Sequence, residues 1–169
     1  MRSNGEIVEP RVGHLKIPSC ALALSFGAGL SPWTPGSVGA LVAFPLFAAL
    51  QLAPLWIVVA ALLIFLLLGC IACSRASHIF GKQDHGAIVW DETFGMLLVL
   101  FFTPAGPWWW ALAFVAFRFF DIVKPWPVRY ADVYASGGIA IMLDDVLAAI
   151  YAVAFLWLAW AAVSAFFTG

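Results

Sequence analysis

From Ile17 to Ser74 the chain carries no charged side chain, from Thr93 to Phe117 it again carries none, and after Asp145 none follows. Every charge therefore falls into one of three clusters: the tail from Arg2 to Lys16, the stretch from Arg75 to Glu92, and the stretch from Arg118 to Asp145. Between them lie apolar runs of membrane-helix length, since crossing the hydrocarbon takes about 20 apolar residues at roughly 1.5 Å each. Only 10% of the 169 residues are charged, 64% are hydrophobic, and mean hydropathy is +1.02. A soluble domain carries about 25% charge, and a disordered chain lacks this much apolar surface. Both classes are excluded. A net charge of −1 gives no basic patch for nucleic acid. The sequence predicts one domain over residues 1–169, all-α, embedded in a bilayer.

Leu55–Cys73 and Val146–Thr168 meet the spanning condition outright. Val38–Ala53 is shorter, with a kink expected at Pro45. The run from Thr93 to Phe117 is broken by Pro104, Gly106 and Pro107, which read as a turn, so two further helices are expected at about 87–103 and 108–123. Ala21–Leu30 is too short to cross and reads as interfacial or re-entrant. The expectation is an integral membrane helical bundle of about five crossing helices plus that N-terminal segment. Arg2, Arg11 and Lys16 hold the tail (residues 1–18) in the cytoplasm. If 38–53 with 55–73, and 87–103 with 108–123, form hairpins, each returns the chain to that side. Every charge is then gathered on one membrane face. Trp108-Trp109-Trp110 fits an aromatic belt at the opposite interface, and the late, glycine-interrupted apolar run does not fit a cleaved signal peptide.

Ionisable groups at membrane helices are costly and mark function by default. Asp91-Glu92 stands at the entrance of one apolar helix, and Asp144-Asp145 is expected in the matching position before the last one. Asp84 lies seven residues before Asp91, on the same face if that stretch is helical. Asp121 lies between Arg118 and Lys124. Acids at helix N-termini can simply complement the macrodipole, but two acidic doublets beside Arg118, Lys124 and Arg129 point to a metal-and-phosphate site. Converging carboxylates are hard oxygen ligands suited to Mg²⁺. The metal ligands expected are Asp91, Glu92, Asp144 and Asp145. Catalytic roles are expected for Asp91 and Asp144 at the metal and for Asp121 as general base or water positioner. Arg118, Lys124 and Arg129 are expected to bind phosphate. Asp132 reads equally as a solvated loop residue. Cys70-Ile-Ala-Cys73 has redox or metal spacing but sits in an uncharged apolar helix, where cysteine acts as a small hydrophobe.

The segment Gly27-Ala28-Gly29-Leu30-Ser31-Pro32-Trp33-Thr34-Pro35-Gly36-Ser37 can supply the complementary chemistry. Glycines let backbone approach a ligand, and a helix starting near Ser37 offers free N–H groups to an anion. Thr34, Gly36 and Ser37 are therefore added to the expected phosphate site, with Ser37 as a plain N-cap the structural alternative.

Four ordered motifs together resemble the phosphatidylglycerophosphatase A family over about residues 20–151. They are the loop Gly27–Gly39; Ile88-Val89-Trp90-Asp91-Glu92 with Gly95; Phe117-Arg118-Phe119-Phe120-Asp121-Ile122-Val123-Lys124-Pro125-Trp126-Pro127; and Gly137-Gly138 through Met142-Leu143-Asp144-Asp145-Val146. Ala140 and Ala149 stand where the family tends to have glycine, and Ser37 where it tends to have threonine. The resemblance implies a Mg²⁺-dependent phosphomonoesterase that hydrolyses phosphatidylglycerophosphate to phosphatidylglycerol in phospholipid biosynthesis. It also implies a multi-pass protein of the bacterial inner (cytoplasmic) membrane with its site on the cytoplasmic face, and helices wrapped around a central one. Two rival classes fit less well. A CDP-alcohol phosphatidyltransferase would carry a long Asp-Gly…Ala-Arg…Gly…Asp…Asp pattern, and a transporter would scatter its acids through the bilayer depth.

Overall fold

The computed structural model describes residues 7–124, 126 and 137–168, and among these there are helices and no strand. Among the described residues six α-helices follow in order: α1 (Pro18–Ala23), α2 (Pro35–Leu50), α3 (Leu55–Phe80), α4 (Trp90–Phe102), α5 (Pro107–Val123) and α6 (Gly138–Thr168). Short 3₁₀ segments, Val12–Lys16 and Ser25–Leu30, flank α1. The boundaries follow local chemistry. Pro35 and Pro107 occupy first-turn positions, where a missing N–H costs nothing. Gly81, at φ 69°, ends α3 in the left-handed conformation that glycine adopts freely. The turn expected at Pro104–Pro107 separates α4 from α5, whereas Pro45 sits inside α2 without dividing it.

α4 is the hub. It packs against α2, α3, α5 and α6, and Trp90, Phe94, Met96, Leu97, Val99 and Leu100 are all buried. Two apolar clusters meet along it, one with α1, α3 and the start of α6, the other with α2, α5 and the middle of α6. Trp90 donates its indole N–H to the Phe65 carbonyl at 3.1 Å, pinning α4 to α3. The central helix implied by the family resemblance is thus present. The N-terminal segment is short and packed, with Cys20, Ala23 and Leu24 buried, and Val8 donates its backbone N–H to the Phe80 carbonyl at 3.0 Å.

Several boundaries differ from expectation. α6 starts at Gly138, so Asp144 and Asp145 lie on the helix and not ahead of it. Gly138 makes this early start possible, because a Cβ there would lie 1.8 Å from the Cys70 carbonyl oxygen. α3 continues past Cys73 to Phe80, carrying Arg75 on an exposed face. Residues 82–89 are not helical, so Asp84 and Asp91 do not share a helix face. α4 has 13 residues, about 20 Å at 1.5 Å per residue, shorter than the 87–103 expected. Among the described residues, α3 and the Gly138–Phe166 stretch of α6 are long and apolar enough to cross a bilayer, and α2 is a shorter apolar helix. Their outward faces are apolar too: Leu63, Leu67, Leu158 and Val163 are exposed.

Successive helices α2 to α6 alternate in direction. The starts of α2, α4 and α6 and the ends of α3 and α5 lie at one end of the bundle, where all described charges sit. The opposite end holds the two hairpin turns and Trp108, 87% exposed.

α2 and α4 touch through Gly39, where a Cβ would lie 2.7 Å from that of Val89 and 2.9 Å from its carbonyl oxygen. Gly39→Ala is expected to destabilise the bundle by roughly 1–3 kcal/mol, the usual range for overpacking. Gly13→Ala, with nothing within 4 Å of the added carbon, serves as the neutral comparison. Thermal unfolding of detergent-solubilised protein checks both.

Candidate active site

Three helix ends and one loop converge on a cavity of about 170 Å³ at the charged end of the bundle. α4 contributes Asp91 and Glu92 from its first turn. α6 contributes Asp144 and Asp145, and α5 contributes Asp121 with Lys124 just past its C-terminus. Gln83 and Asp84 complete the wall from the loop after α3. Gln83 was not among the expected site residues, and Asp84 was read only as sharing a helix face with Asp91, whereas it reaches the wall from a loop.

Macrodipole stabilisation accounts for Asp91 and Glu92 in part, since both stand in a first turn. It does not account for Asp144 and Asp145, which lie beyond the first turn of α6, where the dipole's influence has faded. Asp91, Asp144 and Asp145 are nevertheless buried. Carboxylate oxygens of Asp91, Glu92 and Asp145 lie within 4.8 Å of one another. Within that group Asp91 Oδ1, Glu92 Oε2 and Asp145 Oδ2 are buried and make no hydrogen bond. Buried acceptors without donors are expensive, and three carboxylates this close repel. A hard divalent cation removes both costs together, and an all-oxygen donor set suits one. The residues present therefore fit a cation.

Two cationic side chains border the cluster. Arg118 pairs with Asp121 and approaches Glu92 at 3.8 Å. Lys124 pairs with Asp144. Lys124 is held at φ 44°, an uncommon left-handed conformation for a side-chain-bearing residue, and such strain persists where surrounding contacts over-determine it. Its ion pair ties the end of α5 to α6. The arrangement divides the doublet expected to act together: Asp145 joins Asp91 and Glu92, while Asp144 faces Lys124.

α2 begins at Pro35, near Ser37 as expected, but Thr34 occupies the N-cap position, without a side-chain capping bond, and Ser37 is the helix's third residue. Neither lines the cavity among the described residues. Gly36 abuts the site from behind: a Cβ there would lie 2.3 Å from Glu92 Oε1 and about 3 Å from the Arg118 guanidinium. Behind it, Thr93 donates to the Gly39 carbonyl at 2.8 Å and shares a 2.7 Å hydrogen bond with Ser25. This buried network was missed, although Thr93 directly follows the acidic doublet. Arg129 and Asp132 lie outside the described residues. The three cysteines are free; burial raises the Cys20 thiol pKa, and none of them lines the cavity.

Fold and site together define an all-helical protein that gathers buried carboxylates and two cationic side chains at one end of an apolar bundle. The chain belongs to the phosphatidylglycerophosphatase A family, whose model matches residues 21–160. It is 44% identical over 140 residues to a Haemophilus influenzae protein named phosphatidylglycerophosphatase A, covering 80% of this chain and 85% of that one. It is 38% identical over 137 residues to the Escherichia coli protein of the same name, covering 80% of each. A Bacteroides thetaiotaomicron protein provisionally named a phosphatidylinositol-3-phosphatase is 37% identical over 138 residues, with 77% of this chain and 86% of that one covered. No solved structure matches.

If repulsion within the cluster limits stability, neutralising one member relieves it. Asp145→Asn is expected to raise the unfolding temperature in chelator, and Mg²⁺ is expected to give a further rise in the unaltered protein but none in the variant. That rise corresponds to about 2.7 kcal/mol at a hundred times the dissociation constant. Unfolding scans with and without Mg²⁺ check both signs.

Proposed function

We propose that this protein is a Mg²⁺-dependent phosphomonoesterase that hydrolyses phosphatidylglycerophosphate to phosphatidylglycerol and phosphate, a step of phospholipid biosynthesis. Its place is the bacterial inner membrane, crossed several times, with the site on the cytoplasmic face. The observation that carries this reading is the close group of Asp91, Glu92 and Asp145, with buried unpartnered oxygens, beside Arg118 and Lys124. Family membership supplies the lipid substrate, and the apolar α3 and α6 support membrane residence.

Asp91, Glu92 and Asp145 would hold the cation, with Asp144 at the margin. Bound there, Mg²⁺ supplies Lewis-acid polarisation of the phosphate and neutralises charge on its oxygens. The other steps belong to the chain's own groups. Arg118 and Lys124 face the non-bridging oxygens and favour the charge that shifts toward the leaving group. Asp121, positioned by its ion pair with Arg118, orients water and accepts its proton as the oxygen attacks phosphorus. The bond from phosphorus to the glycerol oxygen breaks, and that oxygen takes up a proton to leave as the alcohol. Burial of the cluster limits competing hydration and strengthens each of these interactions.

Orientation follows from charge: Arg11 and Lys16 flank the same end of the bundle as the cavity, which the positive-inside rule places in the cytoplasm. Cysteine labelling at Lys82 and at Trp108 in sealed vesicles is expected to mark opposite faces.

Purified protein is expected to release phosphate from phosphatidylglycerophosphate only with a divalent cation. Asp91→Asn and Asp145→Asn are each expected to lower turnover by about 10²-fold or more, while both variants stay folded. Phosphatidic acid and phosphatidylinositol 3-phosphate are assayed alongside. Undiminished activity in chelator would defeat the cation assignment, and preference for the phosphoinositide would move the protein to the substrate class of its Bacteroides relative.

A further inference from the structure

An open groove of about 380 Å³ runs between α4 and α6, its wall formed by Leu98 and Phe102 on one side and Val146, Ala149, Val153 and Ala154 on the other. We infer that this groove holds one acyl chain of the lipid substrate and so aligns its phosphate with the carboxylate cavity, an inference that rests on the phosphatase reading above. No polar side chain enters its wall.

Three observations link groove and cavity. The first is adjacency: Val146 of the groove wall directly follows Asp145 of the cavity, and helical spacing carries each acidic position toward the groove. Asp91, Leu98 and Phe102 share one stripe of α4, and Asp145, Ala149 and Val153 share one stripe of α6. The second is the cause of the opening. α4 and α6 touch at Gly95, where a Cβ would lie 3.1 Å from the Asp145 carbonyl oxygen and 2.8 Å from Phe117. Beyond that contact the small side chains of Ala149 and Ala154 leave space that the facing helix does not fill. The third is depth. Leu98 lies six residues beyond Glu92, about 9 Å along the helix. A bent glycerol–phosphodiester–glycerol linker, which separates the scissile phosphate from the first acyl carbon, can span that interval. At the α5–α6 hollow the wall residue nearest the cavity, Phe120, stacks on Tyr151.

Turnover of the full-length protein in mixed micelles, at saturating Mg²⁺, tests the inference with dioleoyl and dihexanoyl phosphatidylglycerophosphate. The short chains end before Val153. Val153→Trp and Ala154→Trp fill the groove and are expected to raise KM for the dioleoyl lipid about ten-fold with kcat little changed, the pattern of lost uniform binding. Dihexanoyl kinetics should not move. Val153→Thr, close in shape and so tolerated by the fold, adds a hydroxyl to the chain's path and is expected to give a smaller rise in the same direction. Val115→Trp, an exposed position in the α5–α6 hollow, is expected to change neither substrate. Unfolding scans establish that each variant is folded. An unchanged dioleoyl KM in folded groove variants would overturn the inference while leaving the phosphatase reading intact. So would equal losses on both lipids, or the same rise from Val115→Trp. Absence of phosphate release from either lipid by the unaltered protein would overturn the phosphatase reading itself and this inference with it.

Discussion

Repulsion among Asp91, Glu92 and Asp145 is the constraint around which the bundle is arranged. Their carboxylate oxygens lie within 4.8 Å of one another, and two unit charges at that limit would repel by roughly 3 kcal/mol at an effective dielectric of about 20. Apolar packing must hold them together. α4 supplies that packing because it is buried on nearly all sides, and the contact of Gly95 with the Asp145 carbonyl brings α6 against it. The charged end is therefore an energetic load carried by the apolar end. In the proposed function a bound cation would lighten that load, and folding stability and catalytic competence would then depend on the same ion.

The frame behind the cluster is stiffened by polar contacts where apolar packing cannot direct a helix. Thr93, one residue after Glu92, reaches both Ser25 and the Gly39 carbonyl, so one hydroxyl joins α4 to α2 and to the N-terminal segment. Val89 donates its backbone N–H to the Ala23 carbonyl at 2.9 Å, fixing the first turn of α4 from the other side. Ser25 and Phe26 adopt positive φ to make these contacts. Left-handed conformations of ordinary residues cost of order 1–3 kcal/mol each, so the surrounding contacts outweigh that cost. Gly36 then lets the start of α2 sit against Glu92 and Arg118 without displacing either. The glycine-rich segment acts here by yielding space to side chains of the site.

What was legible beforehand was whatever charge and hydropathy control. The uncharged runs mark α2 to α6, the Pro104–Pro107 turn divides α4 from α5, and the acidic doublets with Asp121 and Lys124 line one cavity, with Arg118 paired to Asp121 beside it. Less legible were features set by backbone fit. Asp144 and Asp145 were placed before their helix because hydropathy falls at a charge, whereas helix geometry does not. The early start of α6 depends on Gly138 lying against Cys70, a contact between segments far apart in the chain. Asp84 reaches the cavity through a loop whose path no periodicity describes. Thr34 and Ser37 were assigned to an anion by analogy with helix N-termini generally, but neither lines the carboxylate cavity. Arg129 and Asp132 lie outside the described residues.

Helix lengths bear on how such a site meets a lipid. At 26 and 31 residues, α3 and α6 run about 39 and 46 Å, longer than a hydrocarbon core of about 30 Å. α4, at about 20 Å, is shorter than that core. In the proposed membrane placement the outer helices rise past the interface while the first turn of α4, with Asp91 and Glu92, stays recessed among them. A carboxylate cluster exposed at the lipid face would be costly, but one recessed inside the bundle is screened by protein on its flanks. Recession also places the cluster near the depth of lipid phosphates, so a phosphate ester can reach it while its acyl chains remain in the bilayer. The shortness of the central helix would thus let a charged site work on a substrate that never leaves the membrane.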